Sequence, residues 1–75
     1  MIEEYKGYLI SGKALVIHRN SPDWRSQGNV FTKTREGSLL VKRIEGSIFE
    51  AKQLAEAHGL ALCKKWIDQN LNKEA

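Results

Sequence analysis

The stretch AEAHGLALCKKWID, residues 55–68, crowds a histidine, a glycine, the chain's single cysteine and one of its two tryptophans together. Read as chemistry it is a reactive or metal-binding site; read by spacing it is the buried side of a helix. At about 100° per residue, Ile48, Ala51, Ala55, Gly59, Leu62 and Trp66 fall along one stripe, with Phe49, Leu60 and Ile67 widening it. Glu50, Gln53, Ala57, Lys64 and Asp68 lie opposite. His58 and Cys63 are five positions apart, roughly 140° around the wheel, whereas two ligands on one helix converge at a spacing of three or four. Nucleophile and base need hydrogen-bond reach, which this spacing does not provide. The spacing therefore predicts a helix, with Cys63 as a small buried hydrophobe among its core residues.

Gly59 sits in mid-stripe, where glycine costs about 1 kcal/mol relative to alanine. The expected compensation is close approach of the helix to a sheet, along a smooth strip shared with Ala51 and Ala55, while Ile48 and Trp66 grip its two ends. A break near Gly59, with a second helix starting at Leu60, is the competing reading. Upstream, Ser47 followed three residues later by Glu50 has the form of a capping box, so the helix is expected to run over about 47–71.

The residues before it read as strands. Tyr5, Tyr8, Leu9 and Ile10 precede Ser11-Gly12-Lys13, and Leu15 and Ile17 alternate beyond, the pattern of a hairpin turning at Gly12. Asn20-Ser21-Pro22-Asp23 has type I turn chemistry. A third strand is expected from Trp24 or Gln27 to Thr34, with Gly28 as a bulge or close-approach point. Arg35-Glu36-Gly37-Ser38 is a tight connection with Gly37 at positive φ, and Leu39 to Ile44 makes a fourth strand. Such short turns require antiparallel pairing. The expectation is one α+β domain over residues 1–75, with a three- or four-stranded antiparallel meander over about 5–44 and one long C-terminal helix packed on one face.

Composition supports a folded chain: of 75 residues, 41% are hydrophobic and 28% charged, unlike a disordered segment. One cysteine cannot form an internal disulfide, and the opening residues lack the marks of a signal peptide, so a cytoplasmic location is expected. No apolar run approaches the roughly 18 residues of a membrane span, and no membrane partner is expected. Between Tyr5 and Ile44 eight basic residues face two acidic ones, Asp23 and Glu36, while residues 47–75 balance. That asymmetry makes Arg19, Arg25, Lys33, Arg35, Lys42 and Arg43 candidates for a polyanion surface. Tyr8, Trp24 and Phe31 are the candidate stacking platforms, although at least two of these aromatics are expected beneath the helix.

Catalytic constellations are weak. His18, Ser21 and Asp23 lie within six positions on a strand end and a turn, where triads assemble from distant segments. One cysteine and two histidines cannot complete a structural zinc site without carboxylates, and the scattered glycines match no phosphate loop. No metal, cofactor or enzymatic activity is expected. Lys6-Gly7-Tyr8 matches the first three letters of an RNA-recognition signature, but Leu9 and Ile10 depart from it.

Tyr5-Lys6-Gly7-Tyr8 opening a strand, Trp24 entering a later one, and Glu50-Ala51 leading to Trp66-Ile67-Asp68 give the chain its resemblance to small, mostly uncharacterised bacterial proteins with a β-meander and one C-terminal helix. The resemblance implies the fold and transfers no catalytic residue. In element order alone the chain is similar to the sheet-plus-helix half of double-stranded-RNA-binding and HicB-type antitoxin domains, without their customary first helix. The functional expectation is a non-catalytic binding or protein-interaction module, with self-association or a protein partner ahead of the alternative, a nucleic-acid-binding domain using a basic sheet face.

Overall fold

The computed structural model describes residues 1–17, 20 and 22–73, with side chains through residue 70. Strands β1 (Ile2–Tyr5), β2 (Tyr8–Val16), β3 (Trp24–Thr34) and β4 (Gly37–Phe49) form one antiparallel sheet in the order β1-β2-β3-β4. Helix α1 (Lys52–Lys73) follows, unbroken through Gly59, and packs across one face, chiefly over β2 and β3. The α+β meander with its C-terminal helix is therefore the fold.

The first hairpin lies elsewhere than expected. Lys6 at φ 49° and Gly7 at φ 88° form a two-residue connection between Tyr5 and Tyr8. Positive φ at both central positions is the type I′ geometry whose twist matches paired strands. Ser11, Gly12 and Lys13 are not a turn but the middle of β2, where Gly12 pairs with Gly28. What requires glycine there is space: a Cβ on Gly12 would collide with the backbone oxygen of Glu56 and stand 3.0 Å from the Leu60 nitrogen. The second tight connection is Arg35-Glu36, with Gly37 at φ 142° as expected. His18, Arg19 and Ser21, between β2 and β3, lie outside the described residues.

The capping box is also overturned. Ser47 belongs to β4, which continues to Phe49, and the first helical turn closes instead through the Ala55 N–H on the Ala51 carbonyl at 3.2 Å. Pairing decides the competition. Because β3 extends back to Trp24, Ile48 and Phe49 find partners in Arg25 and Trp24, and the Phe49 ring meets His58 at 5.0 Å. The ladder satisfies backbone groups that a helix start at Ser47 would have left to side chains.

Two members of the expected core change place as a result. Ile48 is 52% exposed on the strand, and Ala51 is exposed in the bend before α1. The buried stripe of α1 is Ala55, Gly59, Cys63 and Ile67, at a strict spacing of four that stacks side chains on one face. Leu62 and Trp66 flank it, half-buried. Ile10, Val30, Cys63 and Ile67 form the central cluster, with Tyr5, Tyr8, Leu60 and Trp66 packed around it. Each fully buried aliphatic side chain contributes about 1.5–3 kcal/mol, so a core this small depends on close fit. The fit is made by glycine: Cβ atoms on Gly28 and Gly59 would meet, respectively, the Gly59 carbonyl at 2.5 Å and the Gln27 carbonyl closer still. Ser26 completes the seat by donating its hydroxyl to the Ala55 carbonyl at 2.6 Å.

Candidate functional site

Strand alternation divides the sheet into a face under α1 and a bare face. Ile10, Gly12, Ser26, Gly28 and Val30 lie under the helix. Leu9, Ser11, Lys13 and Leu15 of β2, with Arg25, Gln27, Asn29, Phe31 and Lys33 of β3, take the other side. At its centre stands Asn29, 2% exposed. Its amide donates to Gln27 Oε1 at 3.3 Å, and its oxygen accepts from Arg43 Nε at 3.1 Å. A buried amide needs such partners, since leaving one unmade costs about 1–3 kcal/mol.

The candidate polyanion residues are not gathered on one surface. Arg25, Lys33 and Arg43 share the bare face, but Arg25 lies 3.5 Å from Glu45 and Lys33 lies 2.6 Å from Glu4. Arg43 is engaged by Asn29. Lys42 pairs with Val30, on the helix side of β4, Arg35 is in the β3–β4 turn, and Arg19 is outside the described residues. A depression of about 510 Å³ at that turn, lined by Thr34, Arg35, Glu36, Ser38 and Leu39, brings no second basic candidate to Arg35 among the described residues. Of the stacking candidates, Phe31 alone stands on the bare face. Tyr8 packs against the core, and Trp24 lies on the helix side with Lys52 Nζ 5.8 Å from its ring centre.

No protein-family model matches this chain, and neither does any curated protein or solved structure.

Two features escaped the sequence reading. The first is the extent of β4: thirteen residues at the sheet's edge, hydrogen-bonded on one side to β3, with Leu39, Leu40, Val41 and Ile48 exposed at 62%, 42%, 44% and 52%. Its signal was the apolar run Leu39-Leu40-Val41 together with Ile48-Phe49, which a helix beginning at Ser47 had divided. The second is the ring of polar contacts at the first hairpin, hidden because β1 was not expected to include Glu3 and Glu4. Tyr5 donates its hydroxyl to the Asp68 carboxylate at 3.0 Å, Lys6 Nζ reaches Asp68 at 2.6 Å, and Lys64 reaches Glu3 at 3.0 Å. The Lys6 ammonium holds the Asp68 carboxyl below the usual carboxylate range, and Asp68 in turn raises Lys6. Being exposed, these pairs orient β1 against α1 more than they stabilise it.

Cys63, the residue that first drew a chemical reading, has no exposed surface. Its sulfur approaches the backbone oxygens of Asn29 at 3.5 Å and Ser11 at 3.8 Å. Burial pushes the thiol above its ordinary pKa, which disfavours the thiolate that reactivity requires. Among the described residues no group of three or more histidine, cysteine or acidic side chains is placed to hold a metal ion, and no helix is long and apolar enough to cross a membrane.

Proposed function

We propose that this chain is a non-catalytic protein-interaction module that presents the β4 side of its sheet to a partner polypeptide. The observation that carries the reading is the edge itself: thirteen residues of strand that, among the described residues, have a neighbouring strand on one side only, bearing Leu39, Leu40, Val41 and Ile48 in exposed positions. An edge strand offers a row of backbone donors and acceptors, and strand addition lets main-chain bonds supply affinity while alternate side chains supply specificity. The lone cysteine fits the further proposal of a cytoplasmic setting.

Nucleic-acid binding is the rival, favoured by Phe31 beside Lys33 and Arg43 on the bare face. Titrating labelled single-stranded and duplex RNA and DNA at low and near-physiological salt separates the two. The interaction-module reading expects nothing tighter at near-physiological salt than the non-specific range of about 10⁻⁴ to 10⁻⁶ M. It also expects Leu39→Ser with Leu40→Ser to weaken association with the partner polypeptide while leaving the circular-dichroism spectrum of the chain unchanged. Submicromolar affinity for a nucleic acid, abolished by neutralising Arg25, Lys33 and Arg43 together, would replace this reading with its rival.

A further inference from the structure

We propose that the partner is a second copy of this chain, its β4 paired antiparallel with β4 about a two-fold axis at Ile44. The inference rests on the reading of β4 as an interaction surface and specifies its occupant. Its ground is the pattern of the strand. The β3–β4 ladder is irregular at two places: Val41 is extra between the pairs Phe31–Leu40 and Val30–Lys42, and Gly46 with Ser47 stand against Ser26 alone. Ile44 lies three positions from Val41 and three from Ser47.

Bulges ordinarily protect an edge by spoiling the fit of an incoming strand. Centred at Ile44, however, an antiparallel copy sets the bulged residues of the two strands, Val41 and Ser47, against each other, so the pleat stays in phase on both sides. Arg43 then stands opposite Glu45 of the second copy, twice by symmetry. All four of these charges are on the bare face, since Arg43 registers with Asn29 and Glu45 with Gln27. Leu40 meets Ile48, again on the bare face, and Leu39 meets Phe49 on the helix side. Lys42, the residue that would guard such an edge, falls opposite Gly46, which adds no side chain of its own beside those of Leu62 and His58 that lie over it.

Neighbouring registers lose this match. Centring the pair at Arg43 or at Glu45 brings like charges face to face, which is destabilising for directly opposed residues. A shift by half that step opposes residues that point to different faces. Charge complementarity and the symmetry of the bulges therefore select one register, and the product is a continuous sheet with both helices on the same side.

Sedimentation velocity over a concentration series, on the parent chain and on R43E, E45R and R43E/E45R, tests the pairing. The parent is expected to dimerise. Each single reversal should weaken the dimer roughly tenfold, from two like-charge contacts, and the double reversal should restore it. In a Cys63→Ala background, Ile44→Cys should cross-link under mild oxidation, and Arg43→Cys or Glu45→Cys should not. Circular dichroism verifies the fold of each variant, and if the alanine background unfolds, the charge series decides alone. A parent that stays monomeric, or a dimer that the double reversal fails to rescue, overturns the proposal. The broader reading of β4 falls on a different result, the nucleic-acid affinity described above.

Discussion

The face of the sheet under α1 and the face turned away from it are made by alternate residues of the same strands, yet they are built on opposite principles. Under the helix the sheet is pared down: Gly12, Gly28 and Gly46 on three successive strands remove side chains where helix backbone or side chains must sit. On the bare face the centre is filled by long polar side chains, with Asn29 bridging Gln27 and Arg43. One face excludes atoms so that two backbones can approach, while the other accumulates them so that a buried amide is satisfied. Sensitivity to added volume should therefore differ sharply across a sheet one residue thick.

The largest effects are expected where the obstacle is backbone. Gly12→Ala and Gly59→Ala would each place a Cβ against a main-chain carbonyl, that of Glu56 or Gln27. Each should destabilise by about 3 kcal/mol, the upper part of the overpacking range, although helix propensity alone would make Gly59→Ala stabilising by about 1 kcal/mol. Gly28→Ala belongs with them or slightly below, since it meets both the Gly59 carbonyl and the Cys63 sulfur. Gly46→Ala meets only the ends of the Leu62 and His58 side chains and the Ser26 Cβ, so roughly 1 kcal/mol is expected. Urea unfolding with an unchanged slope measures all four; a flat series would dissolve the contrast between the faces.

Next in size is the accessibility of Cys63. With no exposed surface and a thiol raised by burial, native labelling by a thiol reagent should be slower than labelling in denaturant by orders of magnitude. On the bare face, Lys13→Ala and Leu15→Ala should lie within about 0.5 kcal/mol of the parent, as surface substitutions do. A cost equal to that of Gly28→Ala would show that the second face is packed as tightly as the first.

The smallest effect is electrostatic. Because Asp68 has its pKa lowered in the folded chain by Lys6 and by the Tyr5 hydroxyl, it favours folding above the usual carboxylate pKa. That contribution fades as pH falls through the lowered folded value. Carboxyl NMR titration should find Asp68 below the usual carboxylate range, and Lys6→Ala should return it upward.

Element order and type were readable from particular residues. Gly37 marked a tight turn and takes positive φ, Gly28 marked a close approach and makes one, and the apolar stripe identified a helix that continues through Gly59. Boundaries failed where two local signals competed for the same residues. Gly12 carries no mark distinguishing a turn glycine from one emptied for a helix, and the type I′ turn falls on Lys6, a residue that seldom adopts positive φ. Ser47 and Glu50 carried a sound local capping motif, but the distant pairing of Trp24 with Phe49 overrode it. The candidate polyanion residues were chosen by charge along the chain. Charge carries no information about facing, and the alternation of β3 and β4 places Lys42 on the side opposite Arg43.

The glycine seat also bears on how the chain reaches its native state. Its parts come from β2, β3 and β4, so no pair of neighbouring strands presents a complete landing site, and the buried stripe of α1 has nowhere to dock until the sheet has assembled. The helix in turn supplies Cys63 and Ile67, half of the central cluster. Neither layer keeps its apolar surface covered without the other, an arrangement that leaves little room for a stable half-formed species and expects the protein to fold and unfold as one cooperative unit.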